Sequence, residues 1–358
     1  MAGDAPPDPR GHAGPDTVSA PGKLLLFGEY AVLDGAEAVV VAVDRWAHCR
    51  RTPTDDAVTV AGLGFGAVRW SPGGGVAAPG PEGDLPFARA LLARTPRPRP
   101  GHYQLDTAAF QSTDPSAPGK LGLGSSAATT VALARALDSA ADAATIFARA
   151  HGAHRAVQGS GSGADIAAST FGGAIAYRWW GPERAGETPD WAGARQGTTV
   201  VAVEGGRAAV TPLPGLVGRR LQLAWSGSAA STPSLVGQVD AWARRDPGAH
   251  RAAMHALAAA AEAGKAALVA NDGTALVAAA AAGRQALVAL GSHASAPLVP
   301  PHLEALQGVV ARHGGVAKPT GAGGGDLVWL VGRDPAHEQR LASEAEGAGF
   351  ATLVLTVR

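Results

Sequence analysis

The chain of 358 residues has one cysteine, Cys49, and four lysines, Lys23, Lys120, Lys265 and Lys318, so arginine supplies nearly all of its 30 basic residues. A lone thiol closes no intrachain disulfide, and no C-x-x-C pair is present for zinc or redox chemistry. Acidic residues also number 30, and no basic run exceeds a pair such as Arg219-Arg220 or Arg244-Arg245. There is no extended positive field for nucleic acid or an anionic membrane, so an anionic ligand must be met locally. The longest apolar stretch, around 275–290, is broken by Gly and Arg and falls short of the roughly 18 uninterrupted residues of a membrane span. The N-terminal MAGDAPPDPRGHAGPD lacks the apolar segment of a signal peptide. These absences give the expectation of a cytoplasmic globular protein with no nucleic-acid or membrane partner, and the sequence leaves monomer and homodimer open.

What the chain has in excess is glycine, 49 residues, about twice ordinary usage. Without a glycine at every third position it is not collagen, and a 46% apolar content is enough to bury a core. Residues 1–16, rich in Pro, Gly and Asp, read as a disordered tail. Two β-rich runs, TVSAPGKLLLFGEYAVLDG and AEAVVVAVDRWAHCR, follow around a turn at Gly35. Next come a loop over 71–85, a short helix at 86–95 entered through Pro86, and a strand in HYQLDTAAF. A glycine loop, SAPGKLGLGSS, leads into a long Ala/Leu helix whose N-cap is predicted at the Ser-Ser pair. A helix over 140–158, the loop GSGSGAD and the strand GGAIAYRWW complete this series. After a mixed stretch over 181–218 the pattern restarts at LQLAWSG. Helices are predicted near 233–245, 249–270, 273–290 and 301–313, then the loop AKPTGAGGGD, the strand LVWLV, a helix at 335–347 and a last strand ATLVLTV. The order predicts an α+β protein of two domains, 17–215 and 216–358.

Three glycine-bearing loops invite chemistry: APGK with FGEY (20–30), PGKLGLGSSAA (118–128) and KPTGAGGGD (318–326). In the second, small residues precede a helix, so backbone N–H groups and the positive end of the helix dipole converge on an anion site. Three of the four lysines, Lys23, Lys120 and Lys318, fall in or beside these loops, where a compact ammonium would meet phosphate. Lys265, in EAGKAALV, reads as a solvated helix face. No Gly-Lys is followed by Ser or Thr, which removes a Walker A loop, and GSGSGA follows a helix rather than a strand, which removes the dinucleotide fingerprint. There is no G-x-S-x-G elbow and no H-E-x-x-H. The eleven histidines show no metal spacing, and most read as surface or capping residues. Asp165 is either an acid placed in a small-residue loop within reach of substrate or the N-cap of the helix DIAAST. Asp326 is a cap or a strand-end turn residue.

Together the loops resemble the signature of the GHMP kinase superfamily, over nearly all of the chain from residue 17. Several details resemble the phosphomevalonate kinases within it: FGEYAVL with Tyr30 where mevalonate kinases have His, AVDRW (42–46), AHRAVQG (153–159), WSGSAASTPSLV (225–236), and GAGGGD in place of GAGGGG. The QGSGSGAD spacing is one residue shorter than in relatives, and the C-terminal helices are unusually Ala-rich. The resemblance implies an N-terminal domain like ribosomal protein S5 domain 2 and a ferredoxin-like C-terminal domain. It implies ATP around Gly122, Leu123, Gly124, Ser125, Ser126 and Ala127, with Mg²⁺ on Ser126. Lys23, Asp165 and Lys120 match catalytic positions, and Tyr30, Ser162, Gly163, Ser231, Thr232, Gly321, Ala322 and Gly323 match the substrate side. The implied activity is ATP-dependent phosphorylation of 5-phosphomevalonate to 5-diphosphomevalonate in isoprenoid biosynthesis. The alternatives are a mevalonate kinase or other GHMP small-molecule kinase, and a non-catalytic binding protein of this fold.

Overall fold

A computed structural model describes residues 16–62, 66–77, 84–112, 119–181, 197–225, 232–325 and 327–358. The tail over 1–15, Ser231 and Asp326 lie outside the described residues. The first sheet holds β1 (Thr17–Phe27), β2 (Ala38–Pro53), β3 (Val58–Gly62), β4 (Ala67–Ser71), β5 (Gly75–Val76), β6 (Gly101–Asp106), β7 (Ala174–Trp180), β8 (Thr199–Val203) and β9 (Gly206–Pro212). Its order is β5-β4-β3-β6-β2-β7-β9-β8, with β1 also on β2, and every pairing is antiparallel except β3 with β6. Helices α1 (Pro86–Leu92), α2 (Ser125–Leu137), α3 (Ala143–Gln158) and α4 (Ala164–Phe171) belong to the same half of the chain.

The second sheet contains β10 (Arg220–Trp225), β11 (Val316–Pro319), β12 (Leu327–Val331) and β13 (Ala351–Thr356), in the antiparallel order β11-β12-β10-β13. Between β10 and β11 run α5 (Thr232–Arg245), α6 (Pro247–Ala270), α7 (Gly273–Ala294) and α8 (Pro301–Ala311); α9 (Pro335–Gly347) joins β12 to β13. This is the split β-α-β-β-α-β pattern of ferredoxin-like folds, with four helices in the first crossover. The helix starts are written in the sequence. Asp142, Asp246, Asp272 and Asp334 each accept a hydrogen bond from an amide in the first turn of α3, α6, α7 and α9, which satisfies an otherwise orphaned donor.

The run AVVVAV in β2 is apolar at every position because both faces of the strand are covered. Ala38 and Val40 join the core beneath α2, α3 and α4, while Val39, Val41 and Val43 face a second core with Leu223, Trp225 and Trp329 of the other sheet. One apolar core thus spans both sheets. Phe27 sits in it edge-on to Trp329, with ring centroids 6.1 Å apart. A Cβ at Gly264 of α6 would lie 2.6 Å from the Phe27 ring, so part of the glycine excess serves helix packing. The helix α7 is long and apolar enough to cross a membrane by length and composition, although its Leu276, Ala280, Leu287 and Leu290 are buried against the rest of the fold.

Lys265 is not on a solvated face. Its side chain is 12% exposed and pairs with Glu37. Glu338 on α9 is also buried and accepts a hydrogen bond from Arg219 Nη2 at 2.9 Å. Burial pushes its carboxyl up to about 7, against the opposing pull of Arg219. A carboxyl raised on folding contributes stability that is complete below its unfolded pKa and is lost as pH rises through the folded one. Glu338→Gln is therefore expected to flatten the decline of stability toward pH 7, as read by urea unfolding across a pH series.

Candidate active site

Lys23 lies on β1, where the backbone N–H donates to Leu123 O at 2.9 Å and so fastens the glycine loop to the strand. Gly122 and Gly124 have φ of 69° and 73°, and Gly124 is the N-cap of α2. The helix thus starts from a left-handed glycine, not from the Ser-Ser pair, and Ser125 is its first residue. A Cβ at Gly124 would sit 2.9 Å from Lys23 Cε. The glycine is needed because the lysine stem crosses directly over it. The consequence is an ammonium carried to the N-terminus of α2, where the first amides have no helical acceptor.

Asp165 is not an N-cap. Gly163, at φ 76°, caps α4, and Asp165 lies in the first turn with Oδ1 accepting from the Ile166 amide at 2.9 Å. A Cβ at Gly163 would press into the His151 ring, so this glycine admits a close helix–loop approach. Burial pushes the Asp165 carboxyl up, but His154, Lys23 and the Ile166 amide outweigh it and hold the group below the usual carboxylate range. It is ionised at neutral pH.

A cleft of about 590 Å³ gathers most of the residues singled out in the sequence. Lys23, Lys120, Gly122, Leu123, Gly124, Ser125, Ser126 and Asp165 line it, as do Tyr30, Ser162, Gly163, Thr232, Gly321 and Ala322. Two expected residues do not. Ala127 is fully buried in the core under α2, and Gly323 backs onto the Leu298 carbonyl, which leaves no room for a Cβ.

Lys318 also departs from expectation. It is fully buried, pairs with Glu29, and lies 5.1 Å from the Phe27 ring centroid. The anion it meets is a carboxylate of its own chain, so it is not a cleft cation. Around this pair, the Tyr30 hydroxyl donates to Ala322 O at 2.7 Å and the Gly321 amide to Leu25 O at 3.3 Å. These contacts tie β1 and the loop after it to the 320–325 loop, and Tyr30 sits there at a φ of 59°.

The sequence reading missed two histidines. His151 and His154, three residues apart on α3, are 2% and 5% exposed and line the cleft. Burial pushes His151 down to about 4, so it is neutral at pH 7. His154 Nε2 is 3.3 Å from Ser126 Oγ and 3.8 Å from Asp165 Oδ2. The available signal was their i, i+3 spacing on a helix running straight into GSGSGAD, which puts both rings on one face.

The GHMP kinases N terminal domain family matches residues 100–173. The chain is 36% identical over 171 residues to mevalonate kinase of Archaeoglobus fulgidus, a match spanning 47% of this chain and 53% of that one. Its fold is similar to that of Streptococcus pneumoniae phosphomevalonate kinase in complex with phosphomevalonate and AMPPNP, with TM-score 0.74, 18% identity and 96% and 99% of the two chains covered. It is also 34% identical over 367 residues to phosphomevalonate kinase of Streptomyces sp. (strain CL190), covering 94% of this chain and 96% of the relative. With that identity spanning nearly both full lengths, the chain belongs to the phosphomevalonate kinase family of the GHMP kinases.

Proposed function

We propose that this cleft transfers the γ-phosphoryl group of ATP to the phosphate of 5-phosphomevalonate. The observation that carries the reading is the meeting of Lys23, the α2 N-terminus with Ser126, and Asp165 in one cleft with Lys120. An acceptor phosphate has a second pKa near 6 and is largely dianionic at pH 7, so it needs no strong base. The obstacle is repulsion between two anions, and the remedy is positive charge fixed where they meet. Lys23, Lys120 and the α2 amides supply it, while Asp165 orients Lys23 or the acceptor.

The donor set fits a magnesium nucleotide. Mg²⁺ favours hard oxygen donors and usually takes one or two protein groups plus phosphate oxygens. The Ser126 hydroxyl and the Asp165 carboxylate line the same cleft, and among the described residues no cluster of three or more His, Cys, Asp or Glu could hold a metal alone. Bound there, Mg²⁺ would neutralise charge on the transferring phosphate. Thr232, Tyr30, Gly321 and Ala322 form the acceptor side in this reading. The two-domain division near residue 215 is supported by the first sheet ending at Pro212 and the second starting at Arg220.

The test is turnover with ATP and either mevalonate or 5-phosphomevalonate. Diphosphate product from the second alone is expected, and turnover of mevalonate alone defeats the reading. Lys120→Ala is expected to lose far more turnover than ATP affinity, which steady-state kinetics and nucleotide titration read separately.

A further inference from the structure

His154 belongs to none of the loops that identify the cleft, yet a single atom of it faces two of them. Its Nε2 stands 3.3 Å from Ser126 Oγ in the first turn of α2 and 3.8 Å from Asp165 Oδ2 in the first turn of α4. The ring has little freedom to turn away. It is 5% exposed and stacks on Phe87 of α1, with centroids 5.0 Å apart and planes 20° from parallel. Three helices therefore converge on one imidazole whose orientation is set by packing and whose Nε2 faces the first turns of α2 and α4.

We propose that His154 is a positioning residue of the phosphoryl transfer: its Nε2 fixes the Ser126 hydroxyl through the 3.3 Å hydrogen bond and so keeps that hydroxyl beside the Asp165 carboxylate, whose Oδ2 stands 3.8 Å from the same nitrogen. The chemistry favours such a part. A serine hydroxyl rotates freely about its C–O bond, and a carboxylate in a first helical turn can swing toward solvent or bond its own backbone. Asp165 already spends Oδ1 on the Ile166 amide, which leaves Oδ2 as the oxygen facing the His154–Ser126 pair. Imidazole also does this without adding negative charge beside two phosphates, which a carboxylate in the same place would do. The inference rests on the cleft being the site of transfer.

The experiment compares His154→Leu, His154→Gln and Phe87→Leu with the unmodified enzyme, using ATP and 5-phosphomevalonate. Leucine fills the ring space without a hydrogen bond, so kcat is expected to fall about 10- to 100-fold with both KM values within about threefold. Glutamine returns a hydrogen-bonding group and is expected to restore much of that loss. Phe87→Leu frees the ring without touching either partner and should fall between. Unchanged kcat in His154→Leu, a glutamine variant as slow as the leucine one, or a loss confined to KM overturns the proposal. If His154→Leu does not fold, Phe87→Leu decides, and an unchanged kcat there overturns it equally. Lys23→Ala run alongside separates the two ideas. If Lys23→Ala turns over normally the cleft reading fails, whereas if only His154→Leu does so the positioning role fails alone.

Discussion

Lys23→Ala is expected to lower kcat by about 10²- to 10³-fold, the usual cost of removing one fixed group that stabilises transition-state charge. ATP affinity should change much less, because the α2 amides and the Gly122–Ser126 loop remain. The lysine is held before substrate arrives. Its amide is fastened to Leu123 O, its stem lies across Gly124, and its charge faces Asp165. A fixed ammonium needs no reorganisation as charge develops on the transferring group, so its effect belongs to kcat. Rapid-quench single turnovers beside equilibrium nucleotide titration make the separation directly. A variant that lost affinity and kept its single-turnover rate would place Lys23 in ground-state binding instead.

The second large effect concerns stability. Lys318→Met is expected to cost about 3–5 kcal/mol, since it leaves Glu29 buried without its partner. Glu29 is fully enclosed, and burial already pushes its carboxyl above the usual range despite Lys318. Without the lysine this carboxyl would take up a proton on folding, so the variant should recover stability toward acidic pH and lose it as pH rises. A double variant, Lys318→Met with Glu29→Leu, removes both charges and should be much less destabilised than the single one. Urea unfolding of the three proteins decides the matter, and additive losses would contradict the buried-pair account. Because Glu29 precedes Tyr30, whose hydroxyl reaches Ala322 O, the single variant should also loosen this side of the cleft, which the proposed function assigns to the acceptor.

Much of the architecture was legible from periodicity and punctuation. The helices expected near 249–270 and at 335–347 are α6 (Pro247–Ala270) and α9 (Pro335–Gly347), and the β-rich run AEAVVVAVDRWAHCR holds β2. The glycine loops carried the site, because the left-handed turn at Gly124 favours glycine and the close approach at Gly163 leaves no room for a Cβ. Local sequence misplaced the cap of α2 and left that of α4 open at Asp165 for a related reason: Ser and Asp are good caps on average, but the left-handed glycine before each helix had already taken that role.

Lysine scarcity shows the boundary between the two kinds of information. The sequence by itself determined that Lys23 and Lys120 stand beside glycine loops, and both line the cleft. It gave Lys318 the same standing, and folding decided otherwise. Whether an ammonium serves a ligand or a carboxylate of its own chain depends on which group is 289 positions away in sequence and in contact in space. The same holds for His154, whose meaning comes from Ser126, Asp165 and Phe87 on three other helices. Backbone conformation is a local property that residue types write directly. Charge pairing and hydrogen-bond partnership fall steeply with distance, so only the tertiary arrangement could assign them.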